Sequence, residues 1–508
     1  MRRILTLAAA LTLGTAAGAS AQDSSFVVLD GAFGDWEGVA PVLADPADGR
    51  APYADVLSVQ VRADADAAYL SLTLRDSAAL QGLPGPLLLL VDTDGPTGGE
   101  VHGMRGVDGV IEFSGGPGWG VWLRMIGPDG TPDTLVSANA LELMTAPSHA
   151  ARRFEMRLPR GGPLGIGGME RLRFVALDSA GAVVDATEEF MANVGDVRLR
   201  PLPAGWDAPD PLARAAGTEF RVVSWNVGRA DIFRQEDAFG ALLRPLAPDL
   251  LVLDEVAGGR SAGEVEALLD RILPDGGPWR AVYGVSGGSQ RGVIATRGTA
   301  PRVVPPFDRA LPHPDSARAL APPTDPWLRD RLRSHVPVTG AVVQVGGRRL
   351  LAVAIDLEAA GEPGGARDRL RRMEALAIRD AVADAVRAGG LDGVLLAGDL
   401  NLVASPDPLA ILAAGLDVDG SDLHVPLPLG LDGASAMTWE NPAEPFTPGR
   451  LDFVLVGDAA LVVTGGFVFR AADLSPAWRE RHGVAAEASG ATDHLPIVTD
   501  LRWTAPCP

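Results

Sequence analysis

Hydrophobic and polar residues alternate in short runs over the first part of the chain. Between residues 23 and 200, apolar or alternating stretches of four to seven residues are separated by clusters of Gly, Pro and Asp. Strands alternate their side chains between two faces and turn residues end them, so this spacing predicts an all-β sandwich. The predicted strands cover residues 26–29, 56–61, 68–74, 87–91, 120–125, 153–158 and 172–177.

The pattern changes after residues 201–218, a stretch dense in Pro and Ala that is predicted to be a linker. Over residues 219–504, apolar runs of strand length alternate with helical patterns. The clearest helix spans about 366–388, and a Pro-rich insertion at 298–338 is predicted to be a long irregular loop. The predicted strands cover 221–224, 250–253, 341–345, 350–357, 394–397, 453–456 and 495–501.

Five short polar motifs stand at the ends of strands in this second region. A single strand-end Asn or Asp is typical of a turn. Strand ends on one side of a layered sheet open into a common crevice, however, so five such motifs together predict one site. Their carboxylate and amide oxygens suit a hard cation such as Mg²⁺ or Mn²⁺ next to a phosphate. The motifs are SWN at 224–226, DE at 254–255, GDLN at 398–401, RLDF at 450–453 and TDHLP at 492–496.

Composition narrows the class of protein. The chain has 508 residues, of which 47% are hydrophobic and 21% charged, so it is globular and long enough for two domains. Its formal net charge is −21, which disfavours extensive electrostatic binding of DNA or RNA. A small phosphate substrate remains compatible with this charge, because a metal ion can supply the positive charge.

The first 21 residues have the layout of a secretory signal peptide. Arg2 and Arg3 precede an apolar run that ends in Ala19-Ser20-Ala21, a small-x-small cleavage site. A membrane anchor is the competing interpretation, but the run is short and rich in Ala and Gly. No later segment reaches spanning length without interruption. The sequence therefore predicts cleavage near Ala21 and a mature protein that is secreted or periplasmic.

The order of the five motifs resembles the endonuclease/exonuclease/phosphatase superfamily. The resemblance covers roughly residues 219–504 and is specific for the superfamily, although not for a substrate. It implies a four-layer α+β fold, in which two packed, mostly antiparallel sheets lie between helices. It also implies hydrolysis of phosphate esters with a divalent metal.

The resemblance further implies a role for each matching residue. Glu255 would be the principal metal ligand, helped by Asn226 and Asp493. Asp399 would position or deprotonate the attacking water, and Asn401 would bind the scissile phosphate.

His494 and Asp452 would act on the phosphate as a pair. His494 would hydrogen-bond or protonate a phosphate oxygen, and Asp452 would hold its ring. A histidine backed by a carboxylate can stay protonated near neutral pH and stabilise the charge that builds up on phosphate oxygens.

One position departs from the superfamily pattern. Many members place a second histidine at the end of the strand before GDxN, and the corresponding residue here is Asp356. An aspartate does not donate a proton at neutral pH unless its pKa is raised. Asp356 is therefore a candidate substitute for that histidine, or a ligand of a second metal.

The first region resembles the sandwiches similar to family-nine carbohydrate-binding modules, over about residues 27–180. The resemblance rests on the layout that begins at Asp30-Gly31 and includes Trp36, which is interpreted as a core residue or as a sugar platform. The segment 92–95, Asp-Thr-Asp-Gly, is interpreted as a turn or as a Ca²⁺ site. A glycan is thus a candidate ligand of this domain. The histidines outside the five motifs are predicted at the surface: His313, His335, His424 and His482.

Together these observations predict a secreted, metal-dependent phosphoesterase that prefers a phosphodiester to a monoester. The ester group would belong to a small molecule, a lipid head group or a nucleic acid. The competing interpretation is a catalytically degenerate scaffold with a sandwich that binds glycans or surfaces.

Overall fold

The structure, a computed structural model, describes residues 26–96, 99–114, 120–195, 198–200, 209–228, 232–318 and 325–504. The predicted signal peptide and residues 201–208 of the predicted linker lie outside the described residues. Among the described residues, no helix combines the length and apolar composition needed to cross a membrane.

Two antiparallel sheets form a sandwich in the first region. The strands are β1 (Leu43–Ala44), β2 (Val56–Ala63), β3 (Ala67–Ala78), β4 (Leu87–Asp92), β5 (Glu100–Val101), β6 (Met104–Arg105), β7 (Gly109–Ser114), β8 (Gly120–Ile126), β9 (Pro132–Ser137), β10 (Met144–Ala146), β11 (Ala151–Pro159), β12 (Met169–Leu177), β13 (Val183–Ala186) and β14 (Phe190–Asn193). One sheet has the strand order β1-β2-β3-β11-β10 and the other β13-β12-β4-β7-β8-β9, with β14 also paired to β12. A core that includes Leu72, Ile111, Phe154 and Phe174 fills the space between the two sheets.

Trp36 and residues 92–95 each had two interpretations from the sequence. Trp36 is 1% exposed and its indole N–H donates to Glu155, so it is a core residue and offers no platform to a sugar. Asp92 accepts hydrogen bonds from Arg171 and from the backbone N–H of Gly95, which agrees with the turn interpretation of residues 92–95. Carboxylate oxygens of Asp92, Asp94 and Asp108 lie within 4.8 Å of one another, so a Ca²⁺ site there stays a prediction. The run at 26–29, predicted as a strand of the sandwich, instead makes a single parallel bridge from Leu29 to Ser435.

The second region contains eleven strands and seven helices within the described residues. The strands are β15 (Phe220–Asn226), β16 (Leu250–Ala257), β17 (Trp279–Tyr283), β18 (Gln290–Arg297), β19 (Arg302–Val303), β20 (Val338–Val345), β21 (Arg348–Asp356), β22 (Gly393–Asp399), β23 (Asp452–Val456), β24 (Leu461–Val468) and β25 (Ile497–Trp503). The helices are α1 (Glu236–Leu246), α2 (Ala262–Ile272), α3 (Asp315–Arg318), α4 (Pro326–Arg331), α5 (Ala366–Arg387), α6 (Asp407–Ala413) and α7 (Pro476–His482).

These elements pack in four layers. The sheet β17-β18-β16-β15-β25-β24 faces the sheet β19-β20-β21-β22-β23, and their pairs are antiparallel except β15–β16 and β21–β22. Helices α1 and α2 cover the outer face of the first sheet, and α5 and α6 cover that of the second. This is the predicted fold class.

Strand alternation directs the site residues into the space between the sheets. On β22, Leu395 and Ala397 belong to the core between the sheets, whereas Val394 and Leu396 face the outer helices. Asp399 continues the inward series, because side chains two residues apart lie on the same face. The same period carries Asn226, Asp254, Asp356 and Asp452 inward at one end of the sheets.

Candidate active site

Three aspartates stand side by side across neighbouring strands. Asp356 at the end of β21 pairs in parallel register with Asp399 at the end of β22. Asp399 in turn lies opposite Asp452, the first residue of β23. Neighbouring strands are about 4.8 Å apart, and all three side chains are buried. The predicted GDLN and RLDF motifs therefore meet in one row of carboxylates.

The facing sheet brings the SWN and DE motifs to the same place. Asn226 ends β15 and lies opposite Asp254 on β16. The Asn226 side chain reaches across to the other sheet, where its Nδ2 lies 3.4 Å from Asp399 Oδ2. Its Oδ1 accepts the backbone N–H of Gly228 at 2.8 Å. The two sheets thus contact each other directly through polar side chains.

A β-bulge turns two consecutive carboxylates toward the cleft. Leu253 pairs with Val293 and Val256 with Arg291, so two residues of β16 oppose one of β18. Glu255 takes a positive φ of 55° at this bulge and is half-buried. Burial raises the pKa of Asp356 and of Asp399, and the charge of Glu255 adds to both shifts. A hydrogen bond from Gln290 Nε2 holds the Glu255 carboxylate.

His494 is held by a chain of hydrogen bonds. Its Nδ1 lies 2.9 Å from Asp452 Oδ2, and the Thr438 hydroxyl donates to the same oxygen at 2.6 Å. Burial alone would lower the pKa of His494, but the carboxylates of Asp452, Asp399 and Asp493 raise it well above its ordinary value. The ring therefore keeps its charge near neutral pH, and its Nε2 lies 3.8 Å from Asp399 Oδ2.

The GDLN turn fixes the orientation of Asp399. The backbone N–H of Asn401 donates to Asp399 Oδ1 at 2.8 Å, and Asn401 Nδ2 donates to Oδ2 at 2.9 Å. Burial raises the pKa of Asp399 to about 8, with His494 opposing the shift and Asp452 adding to it. Asn401 Nδ2 also donates to the carbonyl of Leu357 at 2.8 Å. Phosphate binding, the role predicted for Asn401, would require one of these bonds to break, because both Nδ2 protons have acceptors.

Asp493 lies at the margin of the cleft and is half-buried. Its Oδ2 is 3.2 Å from the indole nitrogen of Trp439 and 3.4 Å from Asn441 Nδ2. These two donors come from the loop that also carries Thr438. The loop therefore orients both Asp452 and Asp493.

Three residues of this site, Asp254, Thr438 and Gln290, have roles that the sequence did not predict. Asp254 lay inside the DE motif, and its even spacing from Leu250 and Val252 was a signal that its side chain points inward. Thr438 and Gln290 gave no comparable signal, because each acts through a contact with a distant strand. The prediction that His313 lies at the surface is wrong: it is 3% exposed, and its Nδ1 is 3.5 Å from Glu374 Oε1.

The donor set of the cleft fits a hard divalent cation. Both carboxylate oxygens of Asp254 and Oδ1 of Asp452 are buried and receive no hydrogen bond from the described residues. Burying carboxylates without a compensating positive charge destabilises the folded protein. A cation bound by these oxygen ligands would supply that charge. The atoms of Asp399, Asp452 and His494 also approach within 4.8 Å of one another. Asn226, Asp254 and Glu255 come from β15 and β16 of the facing sheet and offer further oxygen ligands to the same cleft.

A four-layer fold with a polar cleft at its strand ends is a scaffold for phosphoesterases and nucleases. The family model described as "Endonuclease/Exonuclease/phosphatase family" matches residues 223–494. The chain belongs to this family, whose members hydrolyse phosphoester bonds. No curated protein matches the chain.

The chain is also similar to solved structures, at low sequence identity and low TM-score. An AP endonuclease from Archaeoglobus fulgidus is 12% identical, covering 55% of this chain and 98% of its own, with a TM-score of 0.33. Beta toxin from Staphylococcus aureus is 12% identical, covering 55% and 99%, with a TM-score of 0.35. An endonuclease/exonuclease/phosphatase family protein from Leptotrichia buccalis is 11% identical, covering 56% and 99%, also at 0.35. Likenesses of this size carry no information about the substrate.

Proposed function

We propose that the protein is an exported, divalent-metal-dependent phosphodiesterase. The observation that carries the proposal is the buried Asp254 carboxylate, which accepts no hydrogen bond from the described residues. Burial raises its pKa, and the charges of Asp452, Asp356 and Asp399 add to that shift. Four buried acids around one cleft destabilise the fold unless a cation compensates them. Functional sites are where proteins retain such arrangements.

The metal would be Mg²⁺ or Mn²⁺, because the available ligands are oxygens. Glu255, Asn226 and Asp254 would hold it, with Asp493 at the margin. When bound, it would neutralise and polarise the phosphate group. Asp356, at the end of the row, would supply a further carboxylate to this cation or to a second one.

The protein's own residues would supply orientation and proton transfer. Asp399 would align the attacking water, since the Asn401 and Asn226 amides fix its carboxylate. The protonated Nε2 of His494 would donate to a phosphate oxygen as charge develops there. Asp452 and Thr438 would keep the ring oriented with its proton on Nε2. Asn401 acts in this scheme by holding Asp399.

The charge of the cleft favours a diester over a monoester. A diester carries one negative charge at neutral pH, whereas a monoester carries nearly two. A cleft lined by Asp254, Glu255, Asp356, Asp399 and Asp452 repels the dianion more strongly. The formal charge of −21 likewise disfavours duplex DNA. A small-molecule diester, a lipid head group or a short nucleic acid fits the site better.

Export is proposed from the predicted signal peptide alone. The apolar run behind Arg2 and Arg3 and the Ala19-Ser20-Ala21 site support it. N-terminal sequencing of the protein recovered from the periplasm or medium tests it, with Gln22 expected as the first residue.

A paired hydrolysis assay tests the activity. Bis-p-nitrophenyl phosphate and p-nitrophenyl phosphate are supplied to the wild type with Mg²⁺ or Mn²⁺, and again with excess chelator. We expect metal-dependent hydrolysis that is faster for the diester. Glu255→Ala and His494→Ala should each lower it by about 10²- to 10⁴-fold, whereas the exposed Glu480→Ala should not.

The competing function, a degenerate scaffold, has a distinct outcome in the same assay. It predicts no hydrolysis by the wild type with any divalent metal, or the same residual rate in all four proteins.

A further inference from the structure

The β-sandwich contacts the catalytic region at the loops that carry its acidic residues. Leu29 accepts the backbone N–H of Ala436 at 3.0 Å and donates its own to Ala434 at 2.9 Å. Ala150 donates its backbone N–H to the carbonyl of Ala404 at 2.7 Å. These bonds join backbone to backbone across the predicted domain boundary.

One serine of the sandwich bridges two catalytic segments. The Ser148 hydroxyl lies 3.0 Å from the carbonyl of Leu402 and 3.0 Å from the carbonyl of Arg450. Leu402 directly follows Asn401, and Arg450 stands two residues before Asp452. The hydroxyl has one proton, which the two carbonyls share. A single side chain thus links the turn that orients Asp399 to the strand start that presents Asp452.

The sandwich also holds the loop at residues 438–449, which carries Thr438, Trp439 and Asn441. The backbone N–H of Thr447 donates to Gln81 Oε1 at 2.7 Å, and the hydroxyls of Thr447 and Thr145 are 2.9 Å apart. The carbonyl of Phe446 accepts from Asn139 Nδ2 at 3.1 Å. The carbonyl of Pro445 accepts the backbone N–H of Val121 at 2.6 Å. Consecutive residues of this irregular loop therefore bond to the sandwich.

Close packing leaves little room for the loop to shift. A Cβ on Gly120 would lie 2.3 Å from the carbonyl oxygen of Pro445. Irregular loops are mobile unless their backbone groups are bonded. Thr438 and Trp439 bond Asp452 and Asp493 at 2.6 and 3.2 Å, so a shift of the loop would misplace both carboxylates.

We propose that the β-sandwich is a structural part of the active site and that Ser148 is a positioning residue. It holds residues 399–404 and 438–452 in the arrangement that catalysis requires. An accessory module on a free tether would leave both segments unaffected. The catalytic part of this inference rests on the proposed function, whereas the part that concerns loop order does not.

Amide hydrogen exchange of the full chain tests loop order. Ser148→Ala should speed exchange by about 3- to 10-fold, the effect of one lost hydrogen bond, in peptides covering 399–404 and 438–452. Thr145→Val, which removes a hydroxyl but keeps the shape, should do the same for the second peptide. Ser148→Thr, which keeps a hydroxyl, should restore slow exchange. The control is Ser71→Ala, because Ser71 is equally part of the sandwich but bonds Arg153 within it.

Steady-state hydrolysis by the same variants tests the positioning role. We expect Ser148→Ala to lower kcat about 10-fold with little change in KM, and Ser71→Ala to leave kcat unchanged. Unchanged exchange in both Ser148→Ala and Thr145→Val would overturn the inference. Faster exchange with wild-type kcat would overturn the positioning role. If the wild type hydrolyses no ester, the proposed function fails, and the exchange result alone decides whether the sandwich orders the loops.

Discussion

Asp452 Oδ2 lies 2.9 Å from His494 Nδ1 and also accepts the Thr438 hydroxyl. The Thr438 oxygen in turn accepts the backbone N–H groups of Leu451 and Asp452 at 3.0 and 2.9 Å. The proton of the Thr438 hydroxyl therefore points to the carboxylate. Oδ2 of Asp452 thus contacts both this hydroxyl and the imidazole ring. The pair keeps the imidazole protonated and aims Nε2 into the cleft.

Removing the Asp452 charge should shift the pH dependence of hydrolysis. Because the negative charge of Asp452 raises the pKa of His494, Asp452→Asn should lower that pKa. The alkaline limb of kcat, where His494 loses its proton, should move to lower pH by at least about one unit. A pH profile of kcat at saturating metal checks this. An unmoved alkaline limb would show that His494 is not the group that titrates.

Asp254→Asn should have opposite effects on stability and metal binding. Burial raises the pKa of Asp254 well above its ordinary value, and Asp452 adds to the shift. The folded state therefore binds more protons than the unfolded state, and its stability falls as pH rises above about 4. Asparagine does not ionise, so the metal-free Asn variant does not lose this stability as pH rises. At pH 8 its free energy of unfolding should exceed that of the wild type by at least about 1 kcal/mol.

Chemical denaturation of both metal-free proteins at pH 5 and pH 8 measures that difference. The gap should widen with pH, while the variant should bind Mn²⁺ more weakly in calorimetric titration. A variant that is less stable at pH 8 and binds Mn²⁺ normally would mean that Asp254 has hydrogen-bond partners in solution.

The position before Asp399 in β22 requires glycine. Gly398 has a φ of 135°, and a Cβ there would lie 2.0 Å from the carbonyl oxygen of Ile355 on the neighbouring strand. Gly398→Ala should lower the free energy of unfolding by roughly 3 kcal/mol or more, through backbone strain and steric overlap. Gly490→Ala is the matched control, because that site has open space and no positive φ. Equal thermal stability of the two variants would refute the requirement.

Glu255 should dominate metal affinity. Its carboxylate stands at the bulge of β16 and accepts a hydrogen bond from Gln290. Glu255→Gln keeps the shape and removes the charge, so the Kd for Mn²⁺ should rise at least about 100-fold. Calorimetry measures this, with Glu480→Gln as the exposed control. An unchanged Kd in Glu255→Gln would place the principal ligand elsewhere.

Most of the predictions about the candidate site and its strands rest on the strand-end motifs. Asp399 and Asp452 follow the inward period of their strands, and parallel and antiparallel pairing then puts them in one row. The same local pattern predicted β15, β16, β21, β22 and β25 and the long helix α5. Periodicity is a property of a few consecutive residues, so it can be recognised without knowledge of the rest of the chain.

Features that depend on distant partners were not predictable from the sequence. The bulge at Asp254 and Glu255 is defined only by the register of β18. Thr438 acts through strand β23, and Leu29 pairs with a loop some 400 residues away. His313 becomes buried because the Pro-rich insertion folds against α5, where Glu374 lies.

The central claim is that side chains at these strand ends hold one divalent cation in one cleft. A crystal structure with Mn²⁺, located by its anomalous scattering, tests it most directly. We predict a peak within about 2.3 Å of oxygens of Glu255 and Asn226, facing Asp254. The claim would be contradicted by density only at the acidic clusters of the sandwich, Asp45-Asp55-Asp185 or Asp92-Asp94-Asp108, with none at Glu255.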